Sequence, residues 1–234
     1  LKKDKKLVNS IEEMPLICFA CYNQKMPVVD ILLKYDVQIN VNDRNYMSPL
    51  LINIGYRNFD CINKLLEKCD TDKLRNRVLN YVGPDSNLSP LKLCLKTVLD
   101  DTSCTQMYGL IEKLANMGMD MNIQDKRLNT SAHLLVKYIN THPNHNISKQ
   151  FTYFMLQRTD LNIKNIDNKS VIDLLKENSL YDSYKDIIST NPYPIKQNSI
   201  IRINKVDEII KQKNTDTIFN SGSLHIIIYT CILL

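Results

Sequence analysis

The sequence of 234 residues contains no tryptophan and only five glycines. So few glycines leave little room for a phosphate-cradling loop, and none occurs. They also mean that tight turns must be closed by Asn or Asp, the other residues that tolerate a left-handed backbone. No apolar run reaches the roughly 18–20 residues that span a bilayer. The nearest, at 224–234, is interrupted by His225 and Thr230.

Neither the charge nor the cysteines point to a special environment. The net charge is +5, and the basic residues cluster only at 2–6, so the basic stripe of nucleic-acid-binding proteins is absent. The seven cysteines are scattered, and four of them fall inside predicted helical segments, as reduced intracellular cysteines do. These four are Cys18, Cys61, Cys69 and Cys94. No signal peptide opens the chain. The expectation is a cytoplasmic protein that binds neither nucleic acid nor membrane.

What the sequence does contain is a recurring stretch. Its five copies are Met14-Pro15-Leu16, Ser48-Pro49-Leu50, Ser89-Pro90-Leu91, Thr130-Ser131-Ala132-His133 and Ser170-Val171-Ile172. The anchors Pro15, Pro49, Pro90, Ser131 and Val171 are spaced by 34, 41, 41 and 40 residues. A motif that returns at such a period is the signature of a stacked repeat array.

Each unit reads as a short helix, a turn, a second helix and a loop, so the predicted fold class is all-α. The units lie near 10–43, 44–84, 85–125, 126–167 and 168–190, within an array that covers 1–190. The stretch from Asp70 to Pro84 suggests an inserted helical turn, and Gly118 is a natural helix stop. A tail at 191–234 has one predicted helix, near 200–210, and an apolar end.

A second motif keeps phase with the first. Asp43, Asp125 and Asn165 each precede an anchor by six residues, and the apolar-Asn pairs Ile39-Asn40, Met121-Asn122 and Leu161-Asn162 come just before them. The pattern resembles the ankyrin repeat, which has a Thr-Pro-Leu-His-like helix start, a Leu-Leu pair in the second helix and Asp-x-Asn before a β-turn finger. In this chain these elements are Ser48-Pro49-Leu50 or Thr130-Ser131-Ala132-His133, Leu32-Leu33 or Leu65-Leu66, and Asp120-Met121-Asn122 or Asp160-Leu161-Asn162.

The resemblance covers about residues 10–190 and implies a solenoid of four to five helix-turn-helix units with projecting fingers. It implies a protein-binding role for the fingers and the concave helix face, and a structural hydrogen bond from His133 to the neighbouring loop. The Asn, Ile and Lys content and the insertions also resemble poxvirus ankyrin proteins. Those often end in an F-box-like segment, and Tyr193-Pro194-Ile195 is at best a weak match to the start of one. The apolar segment at 224–234 is typical of an interrupted reading frame.

Three alternatives for function stay open on this basis. The first is a monomeric module that binds a host signalling or antiviral protein in the host cytoplasm. The second is a substrate adaptor of a cullin-type ubiquitin ligase, which would need an F-box. The third is a truncated remnant with little activity.

Candidate chemistry is sparse. Cys18 and Cys21 have the spacing of a zinc or redox motif, but a structural zinc site usually needs a second cysteine pair. Two cysteines one helical turn apart are explained equally well by packing in the core. His142 and His145 offer two metal ligands at most, in a polar insertion. No nucleophile-base-acid set can be placed, so we expect no enzyme, no cofactor and no metal.

Two sets of residues are candidates for partner binding. Tyr22, Tyr56 and Tyr138 lie seven residues after their anchors, with Thr97 at that position in the third unit, and equivalent positions of stacked repeats form a row. Tyrosine is enriched in binding hot spots, although each ring could instead pack on its neighbouring repeat. The second set is the predicted fingertips, which could also be plain solvated turns: Arg44, Asn45, Tyr46, Lys126 and Arg127.

Overall fold

The computed structural model describes residues 14–84 and 87–193, where the backbone forms eleven helices and one isolated bridge, between Lys164 and Ser170. The helices are α1 (Leu16–Tyr22), α2 (Met26–Lys34), α3 (Pro49–Gly55), α4 (Phe59–Glu67), α5 (Asp72–Leu79), α6 (Pro90–Asp100), α7 (Thr105–Asn116), α8 (Ser131–Thr141), α9 (Lys149–Arg158), α10 (Val171–Glu177) and α11 (Tyr181–Ser189). This part of the protein is all-α, as predicted. None of these helices is long and apolar enough to cross a membrane. The predicted tail helix and the apolar end lie outside the described residues.

The repeated anchors mark where first helices begin. Pro49, Pro90, Ser131 and Val171 are each the first residue of a helix, whereas Pro15 is the residue before one. The hydroxyl groups of Ser48, Ser89 and Ser170 cap three of these helices, each accepting a backbone N–H of the first turn at 3.1–3.2 Å. A capping hydroxyl satisfies a donor that has no partner inside the helix, which is typically worth about 1 kcal/mol.

The helices pair and stack in order. The pairs α1/α2, α3/α4, α6/α7, α8/α9 and α10/α11 are each in contact, and the first helices touch in succession from α1 through α3, α6 and α8 to α10. The inserted helix α5 lies between the second and third pairs, where the sequence predicted a helical turn. Stacking buries the apolar faces, so Leu51, Leu95 and Leu135 are fully buried on successive first helices. Burial of each such side chain contributes roughly 1.5–3 kcal/mol.

Short breaks between paired helices are closed by a common hydrogen bond. The N–H groups of Lys25, Asn58 and Leu180 each donate to a carbonyl five residues back, at 2.9 Å. The residue before each donor has a positive φ: Gln24 (50°), Arg57 (56°) and Ser179 (57°). α7, the second helix of its pair, ends in the same way: Met119 donates to a carbonyl five residues back, and Gly118 has a φ of 97°. The sequence predicted this helix stop at Gly118.

The expectation that Asn or Asp would take the left-handed positions is therefore only partly right. Asp36, Asn87 and Asn168 do so, but Gln24, Tyr46, Arg57, Leu128 and Ser179 do as well. The closing hydrogen bonds offset the cost of that conformation, so the side chain need not be one that favours it.

Four cysteines behave as core residues. Cys18, Cys61 and Cys94 lie in α1, α4 and α6 and are fully buried. Cys69 is also buried, at 3% exposure, but it follows the end of α4 at Glu67, so its predicted helical position is wrong.

Candidate functional site

Three loops that precede first helices share one turn geometry. Oδ1 of Asp43 accepts the N–H groups of Asn45 and Met47, both at 2.8 Å. Asp125 accepts two N–H groups at the same spacing, also at 2.8 Å, and Asn165 accepts two at 3.0 and 3.1 Å. The fourth residue of each turn is left-handed, with φ of 57–58°. One buried or half-buried side chain therefore fixes each turn, and the two residues after it project outward.

The projecting residues include all five predicted fingertips. Arg44, Asn45 and Tyr46 are exposed on the first turn, and Lys126 and Arg127 on the second. The third turn projects Ile166, at 61% exposure, and Asp167, which the sequence reasoning missed. The six-residue spacing from Asn165 to Val171 was the signal that could have found them.

Hydrogen bonds tie neighbouring turns together. The N–H of Ile166 donates to the carbonyl of Arg127 at 2.9 Å, and the amide of Gln124 donates to the carbonyl of Lys164 at 3.1 Å. Earlier in the chain, the Tyr81 hydroxyl donates to the carbonyl of Tyr46 at 3.1 Å. The Asp125 and Asn165 turns are therefore joined through their backbones, whereas the Asp43 turn is tied to the next unit by the Tyr81 side chain.

A polar ladder joins the loops that follow α5, α7 and α9. The N–H of Asp120 donates to Oδ1 of Asn80, and the N–H of Asp160 donates to Oδ1 of Asn122, both at 2.7 Å. Each bond connects one helix pair to the next. The apolar-Asn motif thus acts between units, in addition to shaping its own turn.

The structure brings two of the three candidate tyrosines together. The rings of Tyr22 and Tyr56 meet edge to face with centroids 6.5 Å apart. The Tyr22 hydroxyl donates to Oδ2 of Asp43 at 3.0 Å, and burial, followed by this carboxylate, raises the pKa of Tyr22. Tyr22 therefore supports the first turn, while Tyr56, at 48% exposure, remains accessible.

Tyr138 has different neighbours. Its ring stacks on His142, with centroids 4.1 Å apart, and lies 6.4 Å from His145. In the third unit, Thr97 is buried and its hydroxyl donates to the carbonyl of Leu93 at 3.0 Å. In the predicted row, the buried Thr97 thus separates the Tyr22–Tyr56 pair from the half-buried Tyr138.

Tyr138, the two histidines and Thr102 line an open cleft of about 430 Å³. Nδ1 of His145 accepts the N–H of Ile147 at 3.1 Å, and Nδ1 of His142 lies 3.1 Å from the carbonyl of Tyr138. Each ring therefore has one nitrogen engaged by the backbone. Within the part of the chain that the structure describes, no three His, Cys, Asp or Glu residues are grouped as a metal site would require.

His133 is buried between the fourth and fifth units. Its Nδ1 accepts the N–H of Thr130 at 3.2 Å and lies 2.8 Å from the Thr130 hydroxyl, while Nε2 lies 3.1 Å from the carbonyl of Lys169. The predicted hydrogen bond to the neighbouring loop is confirmed. Burial lowers the pKa of His133, which favours the neutral ring that this arrangement needs.

The Cys18 and Cys21 thiols are also buried, at 0% and 1% exposure. Burial raises the pKa of Cys18 to about 12, and the Cys18 thiol points to the carbonyl of Met47 at 3.8 Å. The protonated, enclosed thiol of Cys18 is therefore a poor nucleophile and a poor metal ligand.

Comparison with models of known protein families gives no match for this chain, and comparison with curated proteins gives none. The geometry is thus the basis for assigning a role. What it presents is an edge of rigid turns bearing Arg44, Tyr46, Lys126, Arg127 and Ile166.

Proposed function

We propose that this protein is a non-enzymatic protein-interaction module built on ankyrin-type repeats. The observation that carries the proposal is the set of three turns with one shared geometry, whose tips are exposed and two of which are joined by a backbone hydrogen bond from Ile166 to Arg127. The cross-unit bond of His133 and the succession of contacts between first helices support the repeat assignment. Together they describe a scaffold that repeats a backbone and varies the side chains on its edge.

Such an edge suits protein recognition for two physical reasons. The turns are fixed by buried or half-buried Asx side chains, so little conformational entropy is lost when a partner orders the tips. The tips also carry Arg and Tyr, the residue types that are enriched in binding hot spots. Arg44, Tyr46 and Arg127 are the residues of these types on the edge.

The proposed partner is a protein, and the poxvirus resemblance makes a host signalling or antiviral protein in the cytoplasm the class to test first. A monomeric array suffices for this role, because the tips of one chain already form a row.

The test compares two variants of the full chain in cells. The variant R44A/N45A/K126A/R127A removes fingertips, and K34A/K68A/E112A removes exposed charges on α2, after α4 and on α7. We expect quantitative affinity purification to show that the fingertip variant loses a partner at least tenfold, while the control retains it. Circular dichroism checks that both variants keep the helical content of the original chain. Equal recovery with all three proteins would overturn the fingertip assignment, and recovery of ligase subunits would favour the adaptor role.

A further inference from the structure

The first unit exposes a side chain that every later unit buries. The fourth residue after the anchor is Phe19, Asn53, Cys94, Leu135 or Leu175 in successive units. The last four are 0% exposed, whereas Phe19 is 51% exposed.

The fourth residue after the anchor faces the preceding unit. Asn53 lies one helical turn before Tyr56, whose ring meets that of Tyr22 at the end of α1, in the unit before it. By the repeat, Phe19 points to the side of α1 where a preceding element would pack.

The second helix of each unit shows the same contrast in exposure between the first unit and the units that follow. Val28 is 40% exposed, while the residues that match it in the next three units, Cys61, Leu110 and Phe151, are 0%, 5% and 3% exposed. Cys61 also faces the preceding unit, since it lies one helical turn before Lys64, whose ammonium group reaches back to Asp30 on α2. Phe19 and Val28 therefore belong to one open packing face.

A third position defines the rim of this face. Lys64 and Lys113 occupy matching positions on α4 and α7, and their ammonium groups reach back to Asp30 at 2.6 Å and to Asn63 at 2.7 Å. The first unit has Ile31 there, at 51% exposure. An isoleucine cannot pair with a carboxylate or an amide, so whatever covers this rim offers an apolar side chain.

We infer that the face of Phe19, Val28 and Ile31 is a packing surface that is covered by residues 1–13 of the same chain. This segment, which lies outside the described residues, joins α1 through Met14 and carries three apolar residues within five positions: Leu7, Val8 and Ile11. Thirteen residues can span roughly 40 Å, so their reach is sufficient. A tethered segment packs without the translational entropy that a separate partner loses.

Packing of this segment on α1 and α2 does not depend on whether the fingertips bind a partner. Its test uses the full chain with the segment variant L7S/V8S/I11S, the face variant F19S/V28S/I31S, and a variant with all six changes. K2S/K3S/K5S is the control within the segment, and I166S is the control for loss of an exposed isoleucine elsewhere.

We expect the segment and face variants to lower the urea midpoint by similar amounts, and the combined variant to lower it no further, because both remove one contact. The two controls should leave the midpoint unchanged. Hydroxyl-radical footprinting should modify Phe19 and Ile31 several-fold more slowly in the original chain than in the segment variant.

Three outcomes would overturn the inference. The first is additive loss in the combined variant. The second is modification of Phe19 at the rate of a free phenylalanine in the original chain. The third is a dimer in sedimentation velocity that the face variant dissociates, which would make a second copy the occupant.

Discussion

Nε2 of His133 lies 3.1 Å from the backbone carbonyl of Lys169, thirty-six residues along the chain. The same ring closes the capping box of α8 through Thr130, so one side chain sets the start of a helix and joins it to the next unit. We expect H133A to lower the free energy of unfolding by about 2–4 kcal/mol, because it leaves the Thr130 N–H and the Lys169 carbonyl without partners in a buried site. Urea denaturation measures this change. H142A, at an exposed histidine, should change stability by less than about 0.5 kcal/mol, and equal losses would contradict the prediction.

The protonation of His133 predicts a pH dependence. Its folded-state pKa is lower than the ordinary value of 6.5, because burial disfavours the charged ring. Below that ordinary value the unfolded chain binds a proton more readily than the folded chain, so stability falls as the pH drops from about 6.5 and levels off below the folded-state pKa. Urea midpoints measured between pH 7.5 and 5, at roughly half-unit steps, should show this slope. The slope should be reduced in H133A, and an unchanged slope would assign the effect to other groups.

Asp43 and Asn165 hold equivalent turns, but their second side-chain atoms differ in role. Oδ2 of Asp43 accepts the Tyr22 hydroxyl at 3.0 Å, whereas Nδ2 of Asn165 donates to Oδ1 of Asn129 at 3.0 Å. We expect D43N to cost less than about 1 kcal/mol, since Oδ1 is kept and the Tyr22 hydroxyl can rotate to accept. N165D should lower the free energy of unfolding by about 2 kcal/mol, because it sets a carboxylate oxygen against the side-chain Oδ1 of Asn129 in a buried site. Urea denaturation of both variants at pH 7 decides the order, and a larger cost for D43N would refute this account.

Asn53 is a polar residue at a position of the stack that is otherwise apolar. It is 0% exposed, its Nδ2 donates to the Pro49 carbonyl at 2.8 Å, and among the described residues its Oδ1 has no hydrogen-bond partner. Leucine occupies the matching position at Leu135 and Leu175 and is accommodated there. We therefore expect N53L to raise the unfolding free energy by about 1 kcal/mol, as an unsatisfied buried acceptor is removed. N53D is the opposite control and should lower the urea midpoint; a loss of stability in N53L would show that the amide is required.

The sequence was most informative where one residue settles a local structure. Pro49 and Pro90 follow capping serines and mark helix starts, since proline fits the first turn and nowhere else in a helix. The spacing from Asp43 and Asp125 to the next anchor located the turns, because an Asx acceptor acts within four residues.

Contacts that depend on packing between units were not predictable. The pairing of Asn80 with Asp120 joins residues forty positions apart, and no local rule gives their distance. Tyr138 was expected in a row with Tyr22 and Tyr56, yet its ring turned to His142, because the direction of a side chain at a helix end follows its immediate neighbours. Ile166 was overlooked although the spacing from Asn165 to Val171 marks its turn, because an exposed isoleucine at a fingertip is not a residue type that suggests a binding site.

The capping box of the fifth unit shows which property of His133 matters in the capping box of the fourth unit. Asp173 stands three residues after Ser170 and accepts its N–H at 2.9 Å, as His133 accepts that of Thr130. A neutral base and an ionised acid thus serve as interchangeable acceptors at one helical position. In these two units the accepting lone pair is kept while the residue that supplies it changes, whereas Leu51 and Lys92, at the matching positions of the second and third units, supply no such acceptor.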